Sequence, residues 1–175
     1  LRQLWNPYGF YVMYANVNGV APDVAAEPAN DLDRWALSRL AASVETVTER
    51  LEAFDATRAG HVLAAFVDDL SNWYVRRSRR RFWDGEPIAF ATLRHCLVTV
   101  SKLLAPFCPF MADEIYDNLD GAEPSVHLTD WPEAGPRDRS LEDAMAVVRE
   151  TVRLGLAPRG QSKLKVRQPL RAAVV

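Results

Sequence analysis

Apolar positions recur every three or four residues along most of the chain, the spacing that places side chains on one face of an α-helix. Leu37, Leu40, Val44, Val47, Leu51 and Phe54 form one such seam with polar residues between them. Asp31 is placed to cap its start, and Asp33 adds negative charge to the first turn, where the helix dipole favours it. The seam stops near Asp55, and a second helix is predicted to begin between Asp55 and Thr57. It carries Leu63, Phe66, Val67, Leu70, Trp73 and Tyr74 on one face. Asp84, Gly85, Glu86 and Pro87 read as a turn, with the proline suited to the first turn of the next helix. That helix carries Leu93, Leu97, Val100, Leu104 and Phe107. Pro106 and Pro109 fall in its continuation. Proline deletes a backbone donor and clashes one turn back, so a kink or break is expected there. The pattern resumes as Met111, Ile115 and Leu119.

Both flanks of this central stretch differ in character. Residues 1–16 hold Trp5, Tyr8, Phe10, Tyr11 and Tyr14, an aromatic helix that Pro7 and Gly9 are expected to bend or delay. From about Asp120 to Arg139 the glycines and prolines predict a loop, with a short extended piece at Ser125–Leu128. A last helix is predicted from Ser140, with Asp143 in a capping-box-like spacing, through Leu141, Met145, Val148 and Val152 to about Leu156. Helices of these lengths joined by short turns define an all-α fold, an up–down helical bundle over residues 1–157. Residues 158–175 are expected to form a basic, irregular or β-like tail that starts a further region, with Ala172–Val175 as the beginning of a strand. The predicted core is Leu40, Val44, Val47, Leu51, Leu63, Phe66, Leu70, Leu97, Val100 and Leu104.

Composition adds boundaries to this picture. The chain has 175 residues, 49% of them hydrophobic and 25% charged, with a net charge of −2. That is ordinary globular composition with enough length for one sizeable core. No run of eighteen apolar residues and no leader pattern occurs, so the expected setting is cytoplasmic, without a membrane partner. The chain opens on Leu1 rather than methionine, which reads as a piece of a longer protein. Cys96 and Cys108 sit in apolar surroundings and are expected to be buried reduced thiols. His61, His95 and His127 show no metal spacing.

One segment departs sharply from the slightly acidic average. It reads Asn72-Trp-Tyr-Val-Arg-Arg-Ser-Arg-Arg-Arg-Phe-Trp83. Guanidinium groups this close repel one another unless anions meet them. Arginine forks match phosphate oxygens bidentately and stack on aromatic planes, so RNA is one candidate partner and a carboxylate-lined protein surface is the other. At 100° per residue, Leu63, Phe66, Leu70 and Tyr74 mark the core direction, and Arg77 and Arg81 fall along it. Those two are expected to be tied to acidic or backbone acceptors, or to a neighbouring domain, because a buried guanidinium needs partners. Arg76 and Arg80 lie on one flank, and Arg79 lies beyond them near Asn72. There is no Gly-rich phosphate loop, no nucleophile–base pair and no defensible carboxylate pair, so no catalytic residue and no metal site is assigned.

In order along the chain, the blocks Leu1-Arg-Gln-Leu-Trp-Asn-Pro-Tyr-Gly-Phe-Tyr-Val-Met-Tyr-Ala-Asn16, Leu32-Asp-Arg-Trp-Ala-Leu-Ser-Arg-Leu40, the arginine segment from Phe66 to Trp83, Leu104-Ala-Pro-Phe-Cys-Pro-Phe-Met-Ala-Asp-Glu-Ile-Tyr116, Ser125-Val-His-Leu-Thr-Asp-Trp-Pro132 and Lys163-Leu-Lys-Val-Arg-Gln-Pro-Leu170 resemble the anticodon-binding helical domain of class I aminoacyl-tRNA synthetases. The arginine block and the last block resemble the isoleucyl branch in particular. The resemblance implies a parent enzyme that joins isoleucine to its tRNA with ATP and Mg. Its ATP-site signatures and editing domain would precede Leu1, so the present chain is expected to hold no cofactor and no catalytic residue. Its implied partners are isoleucine tRNA, through the anticodon arm, and the catalytic domain of the same chain, within a monomer. The implied tRNA contacts are Asn72, Trp73, Arg76, Arg79 and Arg80, joined by Lys163, Lys165 and Arg167 of the basic tail. The alternative is a helical interaction domain whose arginine row binds an acidic protein surface.

Overall fold

A computed structural model describes residues 2–19, 28, 30–119, 123–163, 165–169 and 171. Among these the chain is helical and contains no strand. The helices are α1 (Arg2–Asn18), α2 (Asp31–Glu52), α3 (Ala56–Asp68), α4 (Arg76–Trp83), α5 (Pro87–Leu104), α6 (Pro109–Leu119) and α7 (Arg139–Gln161). A π-helical segment, Asp69–Val75, joins α3 to α4, and a single 3-10 turn forms at Val126–Leu128. The chain divides into two compact units, Leu1–Arg137 and Asp138–Val175. In the first, α2 packs on α3 and α5, α5 packs on α6, and α1 touches α3, α5 and the π segment. The strand start expected at Ala172–Val175 lies outside the described residues.

Nine of the ten predicted core residues are buried. Leu40, Val44, Val47, Leu63, Phe66, Leu70, Leu97, Val100 and Leu104 are buried, and Leu51 is half-buried. Trp35, Tyr74, Phe82, Phe90, Leu93, Leu103, Ile115 and Tyr116 complete it. The α5 helix is long and apolar enough to match a membrane span by length and composition, but 72% of it is buried inside the protein. A core helix enclosed on all sides has the same composition.

Local chemistry sets the element boundaries, and several differ from expectation. Asn30, not Asp31, caps α2: its side chain accepts from the amides of Leu32 and Asp33 at 2.9 and 3.0 Å. The α2 helix ends at Glu52, so the next step of its seam falls beyond the helix. Phe54 accordingly sits in the connecting turn at φ 57, with 97% of its surface exposed. Asp55 then caps α3. The α1 helix starts at Arg2 and runs through Pro7 and Gly9 without a break. The break at the Pro106/Pro109 pair occurs as expected. The amides of Phe107 and Cys108 close onto the Leu104 carbonyl, and α6 opens on Pro109, where no donor is needed.

The piece expected to be extended at Ser125–Leu128 is instead curled. Asp113 accepts the Ser125 hydroxyl at 2.7 Å and the Val126 amide at 2.9 Å, while Ser125 Oγ accepts from the His127 amide. These bonds offer the backbone a tight turn in place of a ladder. In the second unit, Asp138 rather than Ser140 caps α7, accepting from the Leu141 amide. This helix continues past Leu156, through Pro158, to Gln161. Beyond it, Arg159 Nη1 donates to the carbonyls of Lys165, Val166 and Gln168, which folds the basic tail into turns.

Candidate nucleic-acid interface

The arginine segment begins on the π-helical stretch Asp69–Val75. Such stretches bond i to i+5, take more residues per turn than an α-helix, and occur often at functional sites. The wider turns delay the helix face by one residue. Leu70, Tyr74, Ser78 and Phe82 therefore point inward, four apart, where an uninterrupted α-helix would have turned Arg77 and Arg81 inward. Phe82 is fully buried and meets Phe10, Tyr74 and Phe90 edge-on, with ring centroids 5.1, 6.4 and 5.0 Å away. Ser78, the small residue between arginines, fits the same buried face.

Arg81, partly buried at the edge of that face, is tied to carboxylates as expected. It forks onto Asp33 through Nη1 and Nη2 at 2.7 and 2.8 Å, and onto Glu86 through Nε and Nη2 at 2.9 and 2.7 Å. Asp33 is completely buried and also accepts from the Tyr74 hydroxyl at 2.9 Å. Burial alone would lower the Arg81 pKa. The bonds to Glu86 and Asp33 and the Asp33 charge outweigh that and raise it. Burial, followed by the adjacent Asp33 charge, raises the Tyr74 pKa, which keeps this phenol a donor. Asp33, read from sequence as a first-turn helix charge, is thus the anchor that fixes α4 against α2. The sequence signal was present in the i to i+5 pairing of Arg81 with Glu86 and in a single acid on an otherwise apolar face.

Within the described residues Arg77 meets an aromatic ring rather than an acidic or backbone acceptor. The one-residue delay turns it outward, and its guanidinium lies 4.6 Å from the centre of the Trp73 ring. This is a cation–π contact rather than a carboxylate tie. It also covers one face of Trp73, which is half-buried.

The remaining candidates fall into two groups. Arg76, Arg79 and Arg80 are exposed on α4. Among the described residues Arg76 and Arg79 make no side-chain hydrogen bond or ion pair, and Arg80 approaches Asp84 at 3.5 Å with 93% of its side chain exposed. A surface pair of that kind is worth little and leaves the cation available. Asn72 is exposed beside them, its amide donating to Asp68 at 2.6 Å. Lys163, Lys165 and Arg167 are exposed in the second unit, with Lys163 at φ 53. Among the described residues no His, Cys, Asp and Glu group is arranged to hold a metal ion.

The described part of the chain is all-helical and presents an exposed arginine face, and comparison with known proteins makes the class definite. Residues 33–174 match the family described as the anticodon-binding domain of tRNA ligase, and the chain belongs to that family. Over 97% of its length the chain is 52% identical to the isoleucine–tRNA ligase of Deinococcus radiodurans, covering 16% of that protein. It is 48% identical over its whole length to the isoleucine–tRNA ligase of Streptomyces coelicolor, and 46% identical over 97% to that of Dehalococcoides mccartyi, covering 18% of each. The chain therefore spans less than a fifth of the length of these relatives.

Proposed function

We propose that this chain is the anticodon-arm-binding module of an isoleucine–tRNA ligase. In this reading it holds isoleucine tRNA while a catalytic domain of the same protein carries out ATP- and Mg-dependent isoleucylation. The observation that carries the reading is the exposed cationic face of α4, on which Arg76 and Arg79 have no carboxylate partner among the described residues and Arg80 only a solvent-exposed one, in a chain that belongs to the anticodon-binding family. Arg76, Arg79 and Arg80 suit a ribose–phosphate backbone because guanidinium groups pair bidentately with phosphate oxygens. Asn72 and Trp73 border that face, and Lys163, Lys165 and Arg167 offer a second basic segment. The chain contributes binding and orientation, and its residues take no chemical step. A cytoplasmic monomer fits this role.

Filter binding of isoleucine tRNA by the full-length protein, measured against salt, tests the proposal. Binding should weaken steeply with ionic strength, and isoleucine tRNA should be preferred over a non-cognate tRNA. Salt-insensitive binding, or capture of an acidic protein surface in place of tRNA, would favour the interaction-domain alternative.

A further inference from the structure

We propose that Trp83 is a stacking platform for an unpaired base of the bound RNA, set at the end of the α4 arginine stripe. The proposal rests on the tRNA-binding reading above and adds a contact of a different chemical kind. Within α4, Arg79, Arg80 and Trp83 follow Arg76 by three, four and seven residues. At 100° per residue they share one sector, opposite the buried Ser78 and Phe82. From Arg76 to Trp83 the helix rises about 10 Å, enough to span more than one nucleotide of a single strand.

Trp83 is 73% exposed and stands at the end of the arginine run. It is nonetheless held from behind. The Tyr14 ring of α1 lies 6.4 Å from it, Tyr14 packs on Phe10 at 4.6 Å, and Phe10 packs on the buried Phe82 at 5.1 Å. Asn18 fastens the same corner, donating to the Tyr14 carbonyl at 2.8 Å and to the Phe82 carbonyl at 3.4 Å. Gly85 follows at φ 72, and a Cβ there would meet Asn18 Oδ1 at 3.1 Å, so the close turn needs glycine. The other tryptophan of the segment is unsuited to this task, because Arg77 already lies over its ring.

A fixed, exposed indole beside cations is the arrangement by which proteins hold single-stranded nucleic acid: cations take the phosphates, and the ring takes a base face. A duplex, whose bases are already stacked, gains nothing from the ring. The test compares two RNAs with equal numbers of phosphates, an anticodon stem-loop and a fully paired duplex, binding to the full-length protein across a salt series. Trp83→Ala should weaken stem-loop binding by about 5- to 100-fold, leave the duplex unaffected, and leave both salt slopes unchanged. Trp83→Phe should restore most of the loss and Trp83→Leu should not. Equal weakening of both RNAs, no change for the stem-loop, or a reduced salt slope for Trp83→Ala would overturn the proposal. Arg79→Ala in the same series separates this failure from failure of the tRNA-binding reading. If it changes neither affinity nor slope, the phosphate contact itself is wrong, whatever Trp83 does.

Discussion

Removing Arg81 should cost far more stability than removing any of its arginine neighbours, although all belong to one run of sequence. The Arg81 side chain is 17% exposed, and its partner Asp33 is 0% exposed. Arg81→Ala deletes both arms of the fork onto Asp33 and both bonds to Glu86. It leaves the Asp33 carboxylate in the core without its counter-charge. Breaking a buried ion pair from one side costs about 3–5 kcal/mol, most of it the penalty of the stranded charge. For a chain of this size each kcal/mol moves the melting temperature by about 2–4 °C, so the shift should be on the order of 6–20 °C. Urea unfolding followed by far-ultraviolet circular dichroism measures it, with Arg79→Ala as the exposed control expected within about 0.5 kcal/mol of the parent. Because the penalty lies in the stranded acid, Asp33→Asn combined with Arg81→Ala should cost clearly less than the sum of the two single changes. An Arg81→Ala midpoint equal to that of Arg79→Ala, or strict additivity in the double variant, would refute the reasoning.

Two further outcomes follow from the fold. Leu70→Ala, at a site 1% exposed in the π segment, should cost roughly 2–5 kcal/mol in the same unfolding assay, and a loss below 1 kcal/mol would contradict its place in the core. Asp113 is held below its ordinary carboxylate range, first by the Ser125 hydroxyl and then by the Val126 amide. The 3-10 turn should therefore keep this support at and above the ordinary aspartate range and lose it as pH falls through the depressed value. The protection factor of the Val126 amide, its exchange rate taken relative to the unfolded chain at the same pH, should be intact at pH 5 and fall under strong acid, whereas a protection factor that falls above pH 5 would reverse the sign.

Long, regular helices were legible from the periodicity of their apolar positions, because burial of one face dominates their energetics. The α5/α6 break was legible too, since proline acts locally and without regard to tertiary context. The face of α4 was not. A projection at a constant 100° carries no signal for a π-helical stretch, and the contacts that accompany it are tertiary: Phe82 meets Tyr74, Phe90 and Phe10 of α1. The slip of one residue moved Arg77 from a predicted tie to an exposed cation–π contact, while Arg81 still found its carboxylates. The role of Asp33 was hidden for a similar reason: its partner lies 48 residues away. The helix caps were missed by one or two positions, since Asn30 and Asp138 compete with neighbouring residues of equal capping ability. Phe54 was misread because the three–four pattern continues past the residue at which the helix ends.

The central claim is that the outward arginines of α4 hold the phosphates of a tRNA. Titration of isoleucine tRNA against the full-length protein over a salt series, with Arg79→Ala and Arg80→Ala beside the parent, tests it most directly. Each variant should bind more weakly and lose about one unit of salt slope per phosphate contact removed, while formation of isoleucyl-adenylate without tRNA is unchanged. Variants that bind tRNA with the parent affinity and an unchanged slope would contradict the account.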